Sequence, residues 1–174
     1  MTFILKAKHW QIFPFVALFF FVMLLFPIVF IFNLSIAVIL IGITLWLLCY
    51  VGYLLLVGLA TFKVTKQKKG LDYAFFLVGT IYSLLYSILF GLVLSGLTVD
   101  LGLRIDFTII LPFHLLAMAA NFNALRFSAK TLVFAEKQAK PLISEYILEF
   151  ILFWFIPIGI WFLQPRLNKL GAAA

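Results

Sequence analysis

The fold is decided by residues 9–62, which read HWQIFPFVALFFFVMLLFPIVFIFNLSIAVILIGITLWLLCYVGYLLLVGLATF. This run of 54 residues contains no Asp, Glu, Lys or Arg. A helix needs about 20 apolar residues to cross a hydrocarbon core of about 30 Å, so the run is long enough for two crossings. Asn33-Leu34-Ser35 is a turn-forming cluster in which Ser35 can cap the next helix. The run therefore predicts crossings over 12–32 and 35–62.

The composition of the whole chain agrees with a protein embedded in lipid. Of its 174 residues, 66% are hydrophobic and 11% are charged, whereas soluble domains average about 45–50% and about 25%. A soluble globule of this composition would expose large contiguous apolar patches, which soluble monomers avoid. The composition excludes a soluble enzyme domain, a disordered tail and, with Cys49 as the single cysteine, a disulfide scaffold.

Three further apolar segments follow the first two. Residues 73–99 and 107–127 are long enough to cross, but the last segment, 146–164, has only 16 uncharged residues between Glu149 and Arg166. These span about 24 Å as a helix and include the helix-breaking residues Pro157 and Gly159. We therefore predict an all-α integral membrane protein with four transmembrane helices and a fifth short segment with its hinge at Pro157 and Gly159. That segment is either a tilted fifth crossing or a re-entrant or interfacial hairpin.

The chain is expected to form one helical membrane domain over residues 1–170, and 171–174 (GAAA) has the composition of a cloning scar. Ten basic loop residues fall on one predicted side of the membrane, and only Arg104 falls on the other. The positive-inside rule then places the N-terminus in the cytoplasm. The first apolar segment has about 21 residues, longer than a signal-peptide core, so we expect it to be retained. The basic loops are expected to face anionic lipid and not nucleic acid.

A stripe of small residues marks the third predicted crossing. Small residues recur every four positions, at Gly79, Ser83, Ser87, Gly91 and Ser95. Such spacing lets helix backbones approach closely in lipid, where Ser hydroxyls can also bond across to a neighbour. The stripe predicts a packing face, with three alternatives: a contact within the chain, a seam between copies, or a polar permeation face.

Polar residues at membrane depth are costly and need a reason. The candidate cluster comprises His114, Asn121, Asn123, Arg126, Lys130, Glu145 and Glu149. We expect Glu149 to pair with Arg126 or Lys130, the alternative being that both glutamates extend into water. His114 is interpreted as a structural histidine, a proton relay or substrate contact, or a metal ligand. A metal site would require further ligands at matching spacing, so no metal and no cofactor is expected.

The C-terminal region carries a resemblance. Residues 149–168 contain the pattern EF..FWF.PIGIW..QPR.N, and the N-terminal region contains KHWQ at 8–11. Together these resemble a family of small, uncharacterised bacterial multi-spanning proteins of the inner membrane. The resemblance implies a bacterial inner-membrane location. It implies nothing about a substrate, because that family has no established activity.

Three function classes are compatible with these features of the sequence. The first is a non-catalytic scaffold, sensor or accessory subunit that acts through helix packing with a membrane protein partner or with a second copy. The alternative is a small oligomeric channel or transporter whose polar cluster lines a cavity open to the cytoplasm. An intramembrane enzyme is disfavoured, because the sequence shows no nucleophile and base pair, no metal-ligand set and no phosphate-binding glycine loop. No catalytic residue is predicted.

Overall fold

A computed structural model describes residues 3–18, 36–66, 71–94 and 107–173. These residues form seven helices and no strand, which confirms the all-α prediction for them. The helices are α1 (Phe3–Lys6), α2 (His9–Val16), α3 (Ile36–Val64), α4 (Tyr73–Leu94), α5 (Phe107–Lys137), α6 (Ile143–Trp154) and α7 (Ile156–Ala173).

Helices α3, α4 and α5 pack pairwise on one another and form the centre of the bundle. Within the described ranges, these three helices are long and apolar enough to cross a membrane, with mean hydropathies of 2.3, 2.0 and 1.5 over Leu40–Val64, Tyr73–Val93 and Thr108–Lys137. The predicted first crossing, 12–32, lies outside the described residues beyond Leu18, as does the turn at 33–35. The count of four crossings therefore stays a prediction.

The outer surface of the three long helices is apolar. Only 28%, 22% and 28% of their apolar windows are buried within the bundle. On α4, Phe75, Val78 and Leu89 are each at least 60% exposed. In water such a surface would drive association, whereas in a bilayer it contacts hydrocarbon at no cost. The exposed surface of these three helices is therefore compatible with surroundings of lipid.

Helix α5 continues ten residues past the predicted end of its crossing. Gln138 follows its last residue and ends the helix. Gln138 has φ 53°, the left-handed conformation that often ends a helix. Its backbone N–H donates to the Phe134 carbonyl at 2.8 Å. Its side-chain Oε1 accepts the backbone N–H of Lys66 at 3.0 Å. The amide side chain thereby joins the end of α5 to the chain just after α3.

Helices α6 and α7 form a hairpin that turns at Phe155. Phe155 has φ −94° and ψ 53°, and its carbonyl accepts the backbone N–H groups of Ile158 and Gly159 at 3.0 and 2.8 Å. The two helices pack against each other, α6 also packs on α5, and α7 packs on α1 and α2. A Cβ at Gly159 would collide with the Leu152 carbonyl. Glycine is therefore required where the two helices come closest.

The bend thus differs from the prediction that placed the hinge at Pro157 and Gly159. Pro157 lies in the first turn of α7, where its missing N–H needs no partner and its fixed φ suits a helix. Helix α7 runs to Ala173, beyond the end of the predicted last apolar segment at residue 164. Pro165 is tolerated within α7 on an exposed face. Gly171 lies against Leu5, so part of 171–174 belongs to the helix.

Candidate functional site

Five of the seven residues of the predicted polar cluster lie in three separate places. One lies between α4 and α5, one lies in a groove between α5 and α6, and one joins α5, α6 and α7. His114 belongs to the first, Asn123 and Arg126 to the second, and Glu145 and Glu149 to the third. Asn121 Oδ1 is buried and has no hydrogen-bond partner among the described residues.

His114 links α5 to α4. Its Nδ1 lies 3.0 Å from the Tyr86 hydroxyl oxygen, and its ring centroid is 5.2 Å from that of Phe90. One turn away from Tyr86, Tyr82 donates its hydroxyl to the Phe113 carbonyl at 2.9 Å. Through its hydroxyl partner and its aromatic neighbour, His114 connects the two helices.

The stripe of small residues faces the other two central helices of the same chain. A Cβ at Gly79 would lie 3.4 Å from Ala120 Cβ, and Ser83 donates its hydroxyl to the Ala117 carbonyl at 3.3 Å. A Cβ at Gly91 would overlap the Thr44 side chain on α3. Ser87 is buried and bonds to the Ser83 carbonyl. Ser95 lies outside the described residues.

Arg126 lies beside a groove between α5 and α6. Its Nη2 donates to Asn123 Oδ1 at 3.0 Å and lies 3.6 Å from Asp72 Oδ2. Asn123 is 9% exposed, and its Nδ2 has no hydrogen-bond partner within the described ranges. The groove has a volume of about 430 Å³ and is lined by Phe122, Asn123, Arg126, Ile143, Tyr146, Ile147 and Phe150.

The predicted pairing of Glu149 with Arg126 or Lys130 is wrong. Glu149 Oε1 accepts Arg166 Nη1 at 2.7 Å, because the hairpin brings α7 back alongside α6. Arg166 also binds Glu136 on α5 with two parallel bonds, at 2.7 Å from Nε and 2.6 Å from Nη2. The hydrogen bonds to Glu136 and then to Glu149 raise the pKa of Arg166. Glu149 is 6% exposed, so the pair is buried on its acidic side.

Glu145 has a different role at the start of α6. Lys137 Nζ donates to its Oε1 at 2.6 Å, and its Oε2 accepts the backbone N–H of Leu142 at 2.7 Å. The hydrogen bond from Lys137, and next the one from Leu142, lower the pKa of Glu145. A carboxylate that bonds back to the residue before a helix satisfies a backbone donor that the helix leaves open.

Two residues of these contacts, Gln164 and Glu136, are not among the site residues predicted from the sequence. Gln164 is fully buried, and its Nε2 donates to the carbonyls of Ile4 and Ala7 at 2.6 and 2.9 Å. Tyr53 donates its hydroxyl to Gln164 Oε1 at 3.4 Å. The signal for Gln164 was a lone amide in an apolar stretch, which requires a partner when buried. Nothing in the sequence indicated a role for Glu136, because an acidic residue beside Lys137 is typical of a solvent-exposed surface.

The arrangement is suited to fastening helices and to binding an anion at the groove. Among the described residues, no three His, Cys, Asp or Glu side chains are grouped so that they could hold a metal ion. Comparisons with protein-family models, with curated proteins and with solved structures found no match. The resemblance of the C-terminal pattern to a bacterial family therefore stays a prediction.

Proposed function

We propose that the chain is a small multi-pass protein of the bacterial inner membrane, with four crossings and a cytoplasmic N-terminus. Its role is non-catalytic: it acts as a scaffold, sensor or accessory subunit through helix packing with a partner or with a second copy. The observation that carries this proposal is how the buried polar side chains are used. Among the described residues, these side chains bond either to a neighbouring helix in separate pairs, as Thr61 does, or within their own helix, as Thr80 and Ser87 do. They do not converge on a shared cavity in this part of the chain.

Three of these pairs lie between the central helices. Ser128 on α5 donates to the Leu54 carbonyl on α3 at 3.0 Å, Thr61 donates to Thr131 Oγ1 at 2.8 Å, and His114 bonds to Tyr86. A transport pathway needs polar groups that face one water-filled space. Side chains already bonded to a neighbouring helix hold the bundle in one arrangement, which suits a scaffold.

The C-terminal hairpin supports a re-entrant element and not a fifth crossing. Its turn reaches Tyr50, halfway along α3, whose hydroxyl donates to the Phe153 carbonyl at 3.1 Å. It also reaches Phe122, halfway along α5, whose ring centroid is 4.8 Å from that of Trp154. After the turn, α7 returns to Glu136 near the end of α5. The hairpin therefore enters and leaves on the side where α5 ends.

A labelling experiment tests this topology. In a Cys49→Ala background, Lys169→Cys in intact spheroplasts should react with a membrane-impermeant maleimide only after the cells are opened. Labelling of Lys169→Cys from outside would make the last segment a fifth crossing. A cysteine in place of Lys66 serves as the matched control, because the positive-inside rule places this residue in the cytoplasm with either topology.

Reconstitution into lipid vesicles distinguishes a scaffold function from a channel function. Purified protein in proteoliposomes should give no proton or potassium flux above that of protein-free vesicles. In cells, a photoreactive residue at Leu85, which is 58% exposed on α4, should give one defined protein adduct, whereas the same residue at buried Ser83 should give none. Flux abolished by His114→Ala, or labelling of lipid alone from Leu85, would overturn the proposal.

A further inference from the structure

We infer that the groove between α5 and α6 binds an anionic phospholipid. Arg126 and Asn123 hold the phosphate, and the apolar lining of the groove holds an acyl chain. This inference rests on the membrane location in the proposed function, but not on a scaffolding role. It assigns a ligand to the polar residues that the helix-to-helix pairs do not explain.

The polar end of the groove has an unfilled donor. Asn123 is more than nine-tenths buried, its Oδ1 is used by Arg126, and its Nδ2 lacks a hydrogen-bond partner among the described residues. A buried donor without an acceptor is costly, so such groups usually have a partner in the functioning protein. Asn123 and Arg126 both line the groove, so a phosphate at its polar end lies next to both side chains.

The charge at this end suits an anion. The Arg126 side chain is 43% exposed, and its planar guanidinium carries five N–H donors that match the geometry of phosphate. Lys130 lies one turn further along α5 on the same face, while Asp72 lies 3.6 Å from Arg126. The three groups sum to one positive charge. A headgroup that carries a net negative charge is therefore favoured over a zwitterionic one.

The apolar part of the groove determines the source of the phosphate. Phe122 lies one turn deeper into the predicted crossing than Arg126, and Ile147 and Phe150 face it from α6. Arg126 is at the end of the predicted crossing, the depth of the headgroups. An acyl chain that runs from Arg126 toward Phe122 would cover these side chains. Free phosphate would leave them uncovered, so the occupant is a lipid.

Native mass spectrometry tests the charge requirement. The detergent-purified protein should retain phosphatidylglycerol in preference to phosphatidylcholine and phosphatidylethanolamine. Arg126→Gln should lower the apparent affinity for phosphatidylglycerol about tenfold, as expected for loss of a charged hydrogen bond. Lys169→Gln, which removes an exposed charge at the same end of the molecule, is the matched control and should leave binding unchanged. Equal retention of the three lipids, or equal effects of the two substitutions, would overturn the inference.

A second variant tests whether the groove recognises the acyl chain of the lipid or only its phosphate. Ile147→Trp fills the groove while leaving Arg126 and Asn123 in place, so it should release phosphatidylglycerol. Inorganic phosphate at millimolar concentration should not displace the lipid from the unmodified protein. If Ile147→Trp binds normally and phosphate displaces the lipid, the site recognises phosphate alone and the lipid assignment is wrong.

Crosslinking of the unmodified protein makes the outcome independent of the stability of any variant. Phosphatidylglycerol with a photoreactive acyl chain should attach to residues 122–126 and 143–150. Adducts spread evenly over the outward faces of α3 and α4 would show only the surrounding lipid and would refute the site. An ion flux in the proteoliposome assay, by contrast, would contradict the scaffold proposal without changing the crosslinking result. Failure of the proposed function and failure of the lipid site can therefore be told apart.

Discussion

Two interfaces of α5 are held together by different means. Toward α4, the contact is made by small side chains, with Gly79 against Ala120 and Ser83 bonded to the Ala117 carbonyl. Toward α6 and α7, it is made by charges, with Arg166 between Glu136 and Glu149. In lipid, the first depends on how closely backbones approach and the second on whether opposite charges meet. One helix thus carries a deep interface that depends on shape and a shallower one that depends on charge.

The largest predicted effect is at the turn that brings the charges together. Gly159→Ala should destabilise the protein by at least about 3 kcal/mol, because the new Cβ collides with the rigid Leu152 carbonyl. Thermal unfolding in detergent, followed by size exclusion, measures the loss. The matched control is Gly52→Ala, since no atom lies within 4 Å of a Cβ there. Equal behaviour of the two variants would show that the hairpin does not close in this way.

The next effect concerns the charges themselves. Arg166→Gln should cost about 2–3 kcal/mol, less than a fully buried pair because Arg166 is about 30% exposed. In a double-mutant cycle, Arg166→Gln and Glu149→Gln should couple, whereas Arg126→Gln and Glu149→Gln should add independently. Coupling of Glu149 to Arg126 instead would restore the pairing expected from the sequence.

A smaller effect is expected at the shape-dependent interface. Gly91→Ala should cost about 1–2 kcal/mol, because Thr44 must shift to make room. Gly79→Ala should be near neutral, since its Cβ would meet Ala120 at an ordinary contact distance of 3.4 Å. Unfolding in detergent measures both, and a costlier Gly79→Ala would mean that α4 and α5 lie closer than described.

The smallest effect is the pH dependence of Glu145. Its pKa lies below the ordinary 4.5, so the folded protein favours the carboxylate. The stabilisation is fully present above pH 4.5 and is lost as the pH falls through the lowered pKa. The unmodified protein should therefore lose more stability between pH 6 and pH 3 than Glu145→Gln does. Parallel stability curves for the two proteins would argue against the contact with Lys137.

The sequence predicted the helices better than their partners. A spacing of four residues places Gly79 and Ser83 on one face of α4 whatever lies opposite, so the face could be predicted and the neighbour could not. The positions of α3, α4 and the first part of α5 follow from uncharged runs in the same way, whereas α5 continues to Lys137, ten residues past its predicted crossing. Glu149 shows the limit, because its partner depends on a turn at Phe155 that has no proline or glycine of its own. The hinge was predicted at Pro157 because proline breaks helices, but the turn lies two residues earlier, at Phe155.

The hydrogen bonds from Gln164 to the N-terminal helices have a consequence for the order in which the protein folds during synthesis. Its amide holds the carbonyls of Ile4 and Ala7, which lie 160 and 157 residues earlier in the chain. During synthesis the first helices leave the ribosome long before their fastening partner exists. The final hydrogen bonds of the N-terminal helices therefore form only after synthesis has reached Gln164. In a stalled or truncated product these two carbonyls would lack their hydrogen-bond donor. Quality-control proteases could recognise unfinished molecules by this unpaired N-terminal region.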